Sequence, residues 1–342
     1  MAALMVTPAP VAPTRQVRID HYSAVHVAAE TARAVAKECA LPGAMPDQAA
    51  VVASELASNI DKHARNGVVY IQPLPLGGGL EVVAADRGPG IAEVARCLAD
   101  GYTTTGTLGA GLGAVGRIAT ELAITSRTDT GTVVSARLAL PRQREAARQP
   151  VGLVCLPAAG QEECGDAAAV VDLGGARTAL VVDGLGHGRE AAEAAQAAVR
   201  SFRGAAEGAL PDIMTAMHRA LRHTRGAAVA LLRLHDGEAE YCGIGNVRMV
   251  ALSPHEVHHR LTGQPGVVGW RMPAPHTHRV PLTPSTTTAL HTDGIDLRWA
   301  HTPPGHLLRL PAPLLAATVA HAYHRTRDDA TVLAARAPLG PS

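Results

Sequence analysis

Glu55 and Asn59 stand four residues apart in Glu55-Leu-Ala-Ser-Asn59, a spacing that puts both on one face of a helix. An amide oxygen suits Mg2+, a hard ion that shares phosphate oxygens. A neighbouring carboxylate can accept a proton or orient an attacking hydroxyl. Further on, Asp86-Arg-Gly88-Pro-Gly90 places a carboxylate, which accepts from an exocyclic amine, before glycines that let the backbone pass close to a flat ring. The run Thr103-Thr-Thr-Gly106-Thr-Leu-Gly109-Ala-Gly111-Leu-Gly113 leads into a helix and offers backbone amides as a phosphate cradle. No Gly-Lys-Ser/Thr closes that run, so it is not a Walker A loop. Taken singly, each segment reads equally as a solvated helix face, a strand-to-helix turn or a surface loop.

The second half gathers aspartates. A two-residue turn at Gly174-Gly175 makes Asp166 and Asp183 cross-strand partners, with Cβ atoms roughly 4.5–5.5 Å apart. Like charges so placed repel unless a cation lies between them or one keeps its proton. With oxygen ligands alone, Mg2+ or Mn2+ is indicated over zinc. Asp293, in Thr292-Asp293-Gly294, and Asp328, in Asp328-Asp329-Ala-Thr, stand at strand ends. Any one Asp-Gly is an ordinary turn; four carboxylates in this context suit a pair of divalent ions that activates water for attack on phosphorus.

These residues need a scaffold. The pattern predicts helices at 22–39 and from about Asp47, read as an N-cap, to residue 64, with Val52, Leu56 and Ile60 as the apolar stripe. Strands follow at 68–74 and 80–85, then a short helix near 92–98, a helix ending about residue 120, and strands at 121–126 and 132–138. Residues 1–14 read as a loose tail, 15–140 as one domain and 141–150, polar and bounded by prolines, as a linker. A second domain covers 151–336, with strands at 167–171, 178–182, 227–234, 238–244, 247–252, 286–291 and 331–334. Its helices are expected at 190–203, 212–223 and 311–324, and 337–342 form a tail.

At 342 residues, 47% hydrophobic and 18% charged, the chain has material for two cores, and aromatics at 2% leave Ala, Val and Leu to fill them. Lys plus Arg number 31 against 30 acids, so no basic excess exists to hold nucleic acid. No signal peptide opens the chain and no apolar run reaches the ~18–20 residues needed to span a membrane. Five cysteines without Cys-x-x-Cys spacing argue against a disulfide framework or a zinc site and for a reducing cytoplasm.

In their order and spacing, the first three segments resemble the N, first-glycine and second-glycine boxes of the GHKL ATPase/kinase superfamily. The stretch Asp100-Gly-Tyr-Thr-Thr-Thr-Gly-Thr-Leu-Gly-Ala-Gly-Leu-Gly113 is similar to the RsbT-type serine/threonine kinases, relatives of anti-sigma factor kinases. No long dimerisation helix with a phospho-accepting His precedes it, which sets sensor histidine kinases aside. The resemblance spans about residues 15–140 and implies a Bergerat α/β sandwich binding ATP with Mg2+. It implies Asn59 on Mg2+, Glu55 as base or hydroxyl-orienting group, Asp86 on the adenine amine, Gly88 and Gly90 lining the adenine pocket, and Gly109, Gly111 and Gly113 over the phosphates.

Val181-Val-Asp183-Gly-Leu-Gly-His-Gly188, followed by an Ala-rich helix, resembles the SpoIIE/RsbX branch of the protein phosphatase 2C superfamily, as do Thr292-Asp293-Gly294 and Asp328-Asp329-Ala-Thr. That resemblance covers about 151–336 and implies a β-sandwich flanked by helices, giving a two-domain α/β (α+β) chain. It implies two Mn2+ or Mg2+ ions on Asp183, Asp293 and Asp328, with the Gly184 carbonyl, and Asp166 directly or through water. Asp329 ranks second to Asp328, and His187 reads as a loop histidine packed on a neighbouring turn, with a place near the substrate phosphate as the alternative. The remaining histidines, among them His255, His258, His259, His276 and His278, read as surface residues. No arginine stands early in this domain to grip phosphate; only Arg142, Arg144 and Arg148 lie just upstream.

The implied function is a bifunctional switch. One half would phosphorylate a Ser or Thr on a STAS-domain anti-sigma antagonist or stressosome protein, and the other would remove such phosphates. Two alternatives stand beside it: a phosphatase alone, with the first domain sensing ATP or docking a partner, and a non-catalytic partner-switching module.

Overall fold

Alanine at nearly every third or fourth position makes the first two helices narrow-faced, so they pack closely on each other and on a sheet. They are α1 (Ser23–Glu38) and α2 (Met45–His63), whose buried stripes are Val25, Ala28, Ala32 and Val35, and Val52, Ala53, Leu56 and Ile60. In the computed structural model the chain divides into two units, residues 1–149 and 150–342. The structure describes residues 13–64, 66–91, 94, 111–128, 130–235 and 237–338. Among the described residues no helix is long and apolar enough to cross a membrane.

The first unit's sheet is antiparallel. It comprises β1 (Arg15–Ile19), β2 (Gly67–Pro73), β3 (Gly79–Ala85), β4 (Glu121–Arg127) and β5 (Gly131–Ala139), in the order β1-β2-β3-β5-β4. With α3 (Gly111–Ile118), the helices bury Val69, Ile71, Leu80, Val82, Val134 and Leu138 on one face. β1 is an addition to the sequence reading. It alternates exposed Arg15, Gln16 and Arg18 with Val17 and Ile19, too short a period-2 run to stand out before it pairs with β2. α2 also starts earlier than expected: Ala44 is its N-cap and Asp47 lies inside the first turn, paired with Arg33 at 3.0 Å. Pro46, with its φ already helical, moves the start forward.

The opposite face of this sheet carries a buried polar ladder. Gln72 pairs with Glu81 and Glu81 with Arg137 across the strands. Glu81 accepts from Gln72 at 2.8 Å, from Ser135 at 2.7 Å and from Arg137 Nε at 2.8 Å. Arg137 Nη1 donates onward to the carbonyls of Ala147 and Gln149, at 2.8 and 3.2 Å. This accounts for a departure from the expected linker at 141–150. Residues 144–148 fold as α4 (Arg144–Arg148), with Ala147 buried against Leu74 and Ala139 while the guanidinium takes up the carbonyls that follow. Composition marks that stretch as polar but does not reveal the cation waiting for it.

The second unit has two antiparallel sheets. One runs β13-β10-β9-β8-β7, built from β7 (Asp166–Leu173), β8 (Ala176–Gly184), β9 (Ala227–His235), β10 (Glu238–Ile244) and β13 (His278–Pro281). The other runs β12-β11-β14-β15-β6, built from β6 (Val151–Leu156), β11 (Arg248–Leu252), β12 (Val257–Thr262), β14 (Thr287–His291) and β15 (Ala330–Ala335). Helices α5 (Arg189–Ala205) and α6 (Leu210–Ala220) cover the first sheet through Phe202, Ile213, Met214 and Met217. α7 (Arg298–His301) is short, and α8 (Ala312–Tyr323) packs on β6 and β15.

Removing one member of a buried ion pair strands the other, at a cost of about 3–5 kcal/mol. Arg137→Met should therefore destabilise the first unit by about that much, read as faster hydrogen exchange of β3 and β5 amides. The Glu81→Met/Arg137→Met double variant should recover most of the loss; a double variant no better than the single would show that the charge pairing is not the cause.

Candidate functional site

α2 is the common element of the first site. Glu55 and Asn59 lie half-buried on it, one turn apart and off the buried stripe, and α2 packs on both β3 and α3. Asp86 directly follows β3. Its Oδ1 accepts the N–H groups of Gly88 at 2.7 Å and Thr132 at 3.3 Å, and among the described residues no donor reaches Oδ2. Burial raises the Asp86 pKa above its ordinary 3.8, opposed by those two amides. A Cβ on Gly88 would come within 2.8 Å of the Ala64 Cβ, so the missing side chain lets the turn after Asp86 lie against the end of α2. Gly90 lies against the Arg127 carbonyl. Gly111 opens α3 with free space around it, and Gly113 is in the same turn. Gly109 lies outside the described residues, as does the helix expected near 92–98 apart from residue 94. A cleft lined by Asp61, Lys62, His63, Ala64, Arg87, Gly88 and Pro89 borders the Asp86 turn.

The second site starts from the glycine turn. Gly174 and Gly175 have φ of 60° and 80°, left-handed backbone that a tight hairpin needs, and the register pairs Asp166 with Asp183. Asp166 is buried, and its Oδ2 accepts from Thr292 Oγ1 at 2.8 Å. Asp293 and Asp328 are brought near by Gly294: a Cβ there would stand 1.9 Å from the Asp329 carbonyl oxygen, so only glycine allows the two turns to touch. Gly184 donates its N–H to the Gly165 carbonyl at 3.0 Å, which ties the end of β8 to the start of β7.

Electrostatics make these acids one cluster. The Asp183 pKa is pushed up to about 7, by burial first and then by the charges of Asp293, Asp328 and Asp329. Asp166 is raised well above its ordinary value by burial and by Asp183. Asp293 is raised by burial and by Asp328, against the pull of Arg325. Asn246, just beyond β10, was not singled out in the sequence. Its Nδ2 donates to Asp293 Oδ2 at 2.6 Å, and its amide opposes the rise in the Asp183 pKa. The signal was a glycine-flanked amide at a strand end, with no partner visible until the chain is folded.

Asp329 is separated from its neighbour by its hydrogen bonds. Both of its oxygens are taken by backbone amides, Oδ1 by Ala158 at 2.8 Å and Oδ2 by Gly165 at 2.9 Å, whereas Asp328 is exposed. His187 is exposed. One histidine reverses the expectation of surface placement: His291 is fully buried, edge-on to Trp299, its Nδ1 at 3.0 Å from the Thr292 carbonyl oxygen, and burial lowers its pKa to about 4. Sequence spacing could not reveal that the side chain before Thr292 points inward.

Among the described residues, no three Asp, Glu, His or Cys side chains already converge on one point at ligand distance. The donor chemistry nevertheless fits hard divalent ions: an oxygen-only set of mutually repelling carboxylates, one of them held by a neutral amide.

Comparison with known proteins assigns the two halves. The histidine kinase-like ATPase domain family matches residues 20–138, and the Stage II sporulation protein E (SpoIIE) family matches 174–338. The serine/threonine-protein kinase RsbT of Bacillus subtilis (strain 168) is 39% identical over 113 residues, covering 32% of this chain and 84% of that protein. A solved chain from work on the bacterial stressosome, as a modular system adapted to control secondary-messenger signalling, is 32% identical. It covers 54% of this chain and 98% of that one, with a TM-score of 0.50. A crystal structure of RsbX with magnesium is 23% identical, covering 53% and 92%, with a TM-score of 0.47.

The raised acids have a consequence for stability. A carboxyl at 3.8 when unfolded and about 7 when folded takes up a proton on folding between those values, so stability falls as pH rises through that window. Chelator-treated protein should therefore melt at a lower temperature at pH 8 than at pH 5, and Asp183→Asn should flatten the difference. A wild-type profile that stays flat or rises would contradict the crowding.

Proposed function

The chain belongs to the family of the serine/threonine-protein kinase RsbT and carries a SpoIIE domain behind that part, and from this premise we propose that it is a bifunctional partner-switching regulator. Its first unit transfers the γ-phosphoryl group of ATP to a Ser or Thr of a STAS-domain anti-sigma antagonist or stressosome protein. Its second unit removes phosphate from phosphoserine or phosphothreonine on the same class of partner. The observation that carries the reading is the acidic cluster joined by the Asp166–Asp183 register, next to a first unit whose Glu55, Asn59 and Asp86 are all retained.

In the first unit, the open Oδ2 of Asp86 accepts the exocyclic amine of adenine, while its Oδ1 stays locked by Gly88 and Thr132. Asn59 would support Mg2+ against the phosphates, and α3 begins at Gly111, on which a Cβ would meet no described atom within 4 Å. Glu55 accepts the proton of the partner hydroxyl as its oxygen attacks the γ-phosphorus and ADP departs. Asn59 and Glu55 lie one helical turn apart, which keeps the proton acceptor beside the phosphate end of the nucleotide.

In the second unit, Asp183, Asp293 and Asp328, with the Gly184 carbonyl and Asp166, would hold two divalent ions. Such ions, Mg2+ or Mn2+, supply Lewis acidity and neutralise phosphoryl charge. Thr292 orients Asp166 by its 2.8 Å hydrogen bond, and Asp329 acts as a strut through its two amide contacts. Opposed activities in one chain put both sites at one local concentration around a shared target.

Incubation with ATP, Mg2+ and candidate STAS proteins should give phosphoryl transfer that Glu55→Ala abolishes while ATP binding persists. Transfer undiminished by Glu55→Ala would remove Glu55 as the proton acceptor, and transfer absent with every candidate would leave the phosphatase-only reading. Asp183→Asn should reduce Mn2+-dependent phosphate release by at least about a hundredfold, as expected when a metal ligand is lost. Unchanged turnover in that variant would remove the metal assignment.

A further inference from the structure

We propose that Cys155 and Cys164 are a redox-responsive dithiol that closes to a disulfide under peroxide. Cys155 lies on β6, the edge of one sheet, and Cys164 lies two residues before β7, the edge of the other. Their sulfurs are 3.6 Å apart, with both residues buried at 3% and 4% exposure. A disulfide needs a sulfur–sulfur distance of about 2.05 Å, so closure asks for a movement of roughly 1.5 Å. Residues 159–163, just before Cys164, are exposed, which places that sulfur at the end of a surface loop rather than in the middle of a strand. Of the other cysteines, Cys242 is buried and Cys39 is half-buried on the other unit, and Cys97 lies outside the described residues.

The chemistry balances with hydrogen peroxide as oxidant. One sulfur attacks a peroxide oxygen: the S–O bond forms, the O–O bond breaks, and the departing hydroxide takes up the thiol proton as water. The second sulfur then attacks the sulfenic sulfur: the S–S bond forms, the S–O bond breaks, and the second hydroxide leaves with the second thiol proton as water. Two thiols lose two electrons and one peroxide becomes two waters.

Closure bears on the acidic cluster. Cys164 adjoins Gly165, whose N–H donates to Asp329 Oδ2 at 2.9 Å. Gly165 has no room to yield, because a Cβ there would stand 2.7 Å from that same oxygen and 2.9 Å from the Ala191 Cβ. Cys155 Sγ also lies 3.6 Å from the Asp166 carbonyl oxygen. Drawing the sulfurs together therefore pulls on the Gly165–Asp329 bond and on the backbone of Asp166. Outer partners of this kind are worth about 10–100-fold in metal affinity. The dithiol stands on geometry alone; its effect on metal binding rests on the reading of the cluster given above.

The test uses the full-length reduced protein. After treatment with hydrogen peroxide, the remaining thiols are alkylated under denaturing conditions and the peptides mapped, while Mn2+ affinity is measured by calorimetry. The expected result is a Cys155–Cys164 link reversed by dithiothreitol, with Mn2+ affinity about tenfold weaker in the oxidised form and restored on reduction. Cys155→Ala and Cys164→Ala should each keep the reduced protein's Mn2+ affinity in peroxide. Both thiols alkylated after peroxide, or linked to other cysteines, would overturn the dithiol. A link that leaves Mn2+ affinity unchanged would overturn its coupling to the cluster. If reduced protein takes up no Mn2+, the metal reading falls, while the peptide map still decides the dithiol.

Discussion

Two carboxylates facing each other across a tight hairpin are the constraint around which the second unit is arranged. Asp166 and Asp183 are paired by backbone register, so neither can retreat from the other without unzipping β7 from β8. The surroundings answer the repulsion locally. Thr292 bonds Asp166, Asn246 bonds the neighbouring Asp293, and the proton affinity of Asp166 and Asp183 rises. Neither partner supplies positive charge, and Arg325 donates to the Asp293 carbonyl at 3.5 Å while pulling the Asp293 pKa down. The fold thus holds negative charge that its own side chains leave uncompensated, which is the physical content of a cation site.

The first unit solves the reverse problem. Its buried Glu81 is fully compensated by Arg137, Ser135 and Gln72, and the pair is used for architecture. The same guanidinium gathers the carbonyls of the connecting segment, so a charge pair in the middle of the sheet also decides where the chain leaves it. By contrast, Asp86, Glu55 and Asn59 sit at element ends and half-buried faces, with acceptor capacity left over. The two units thus hold both spent carboxylates, whose partners are all in place, and unspent ones, whose acceptor capacity is left over.

Much of this was legible in the sequence because it depends on short-range periodicity. The glycine pair fixes the Asp166–Asp183 partnership by register alone, and the Val52, Leu56, Ile60 stripe orients α2 with Glu55 and Asn59 to one side. What escaped depends on contacts between distant residues. β1 becomes a strand only through β2, the 144–148 helix only through Arg137 and Ala147, and His291 is buried only through its packing beneath Trp299. Asp328 and Asp329 look equivalent as neighbours in a turn. The distinction lies in amides more than 160 residues earlier, which claim both oxygens of Asp329 and neither of its neighbour's.

The acids of the second unit are also graded in depth: Asp166 is buried, Asp183 half-buried, and Asp293 and Asp328 exposed. Water therefore screens the outer two acids and is largely withheld from the inner two, so Asp166 and Asp183 feel each other through a lower dielectric than Asp293 and Asp328 do. The cost of leaving the cluster uncompensated is concentrated at its buried end.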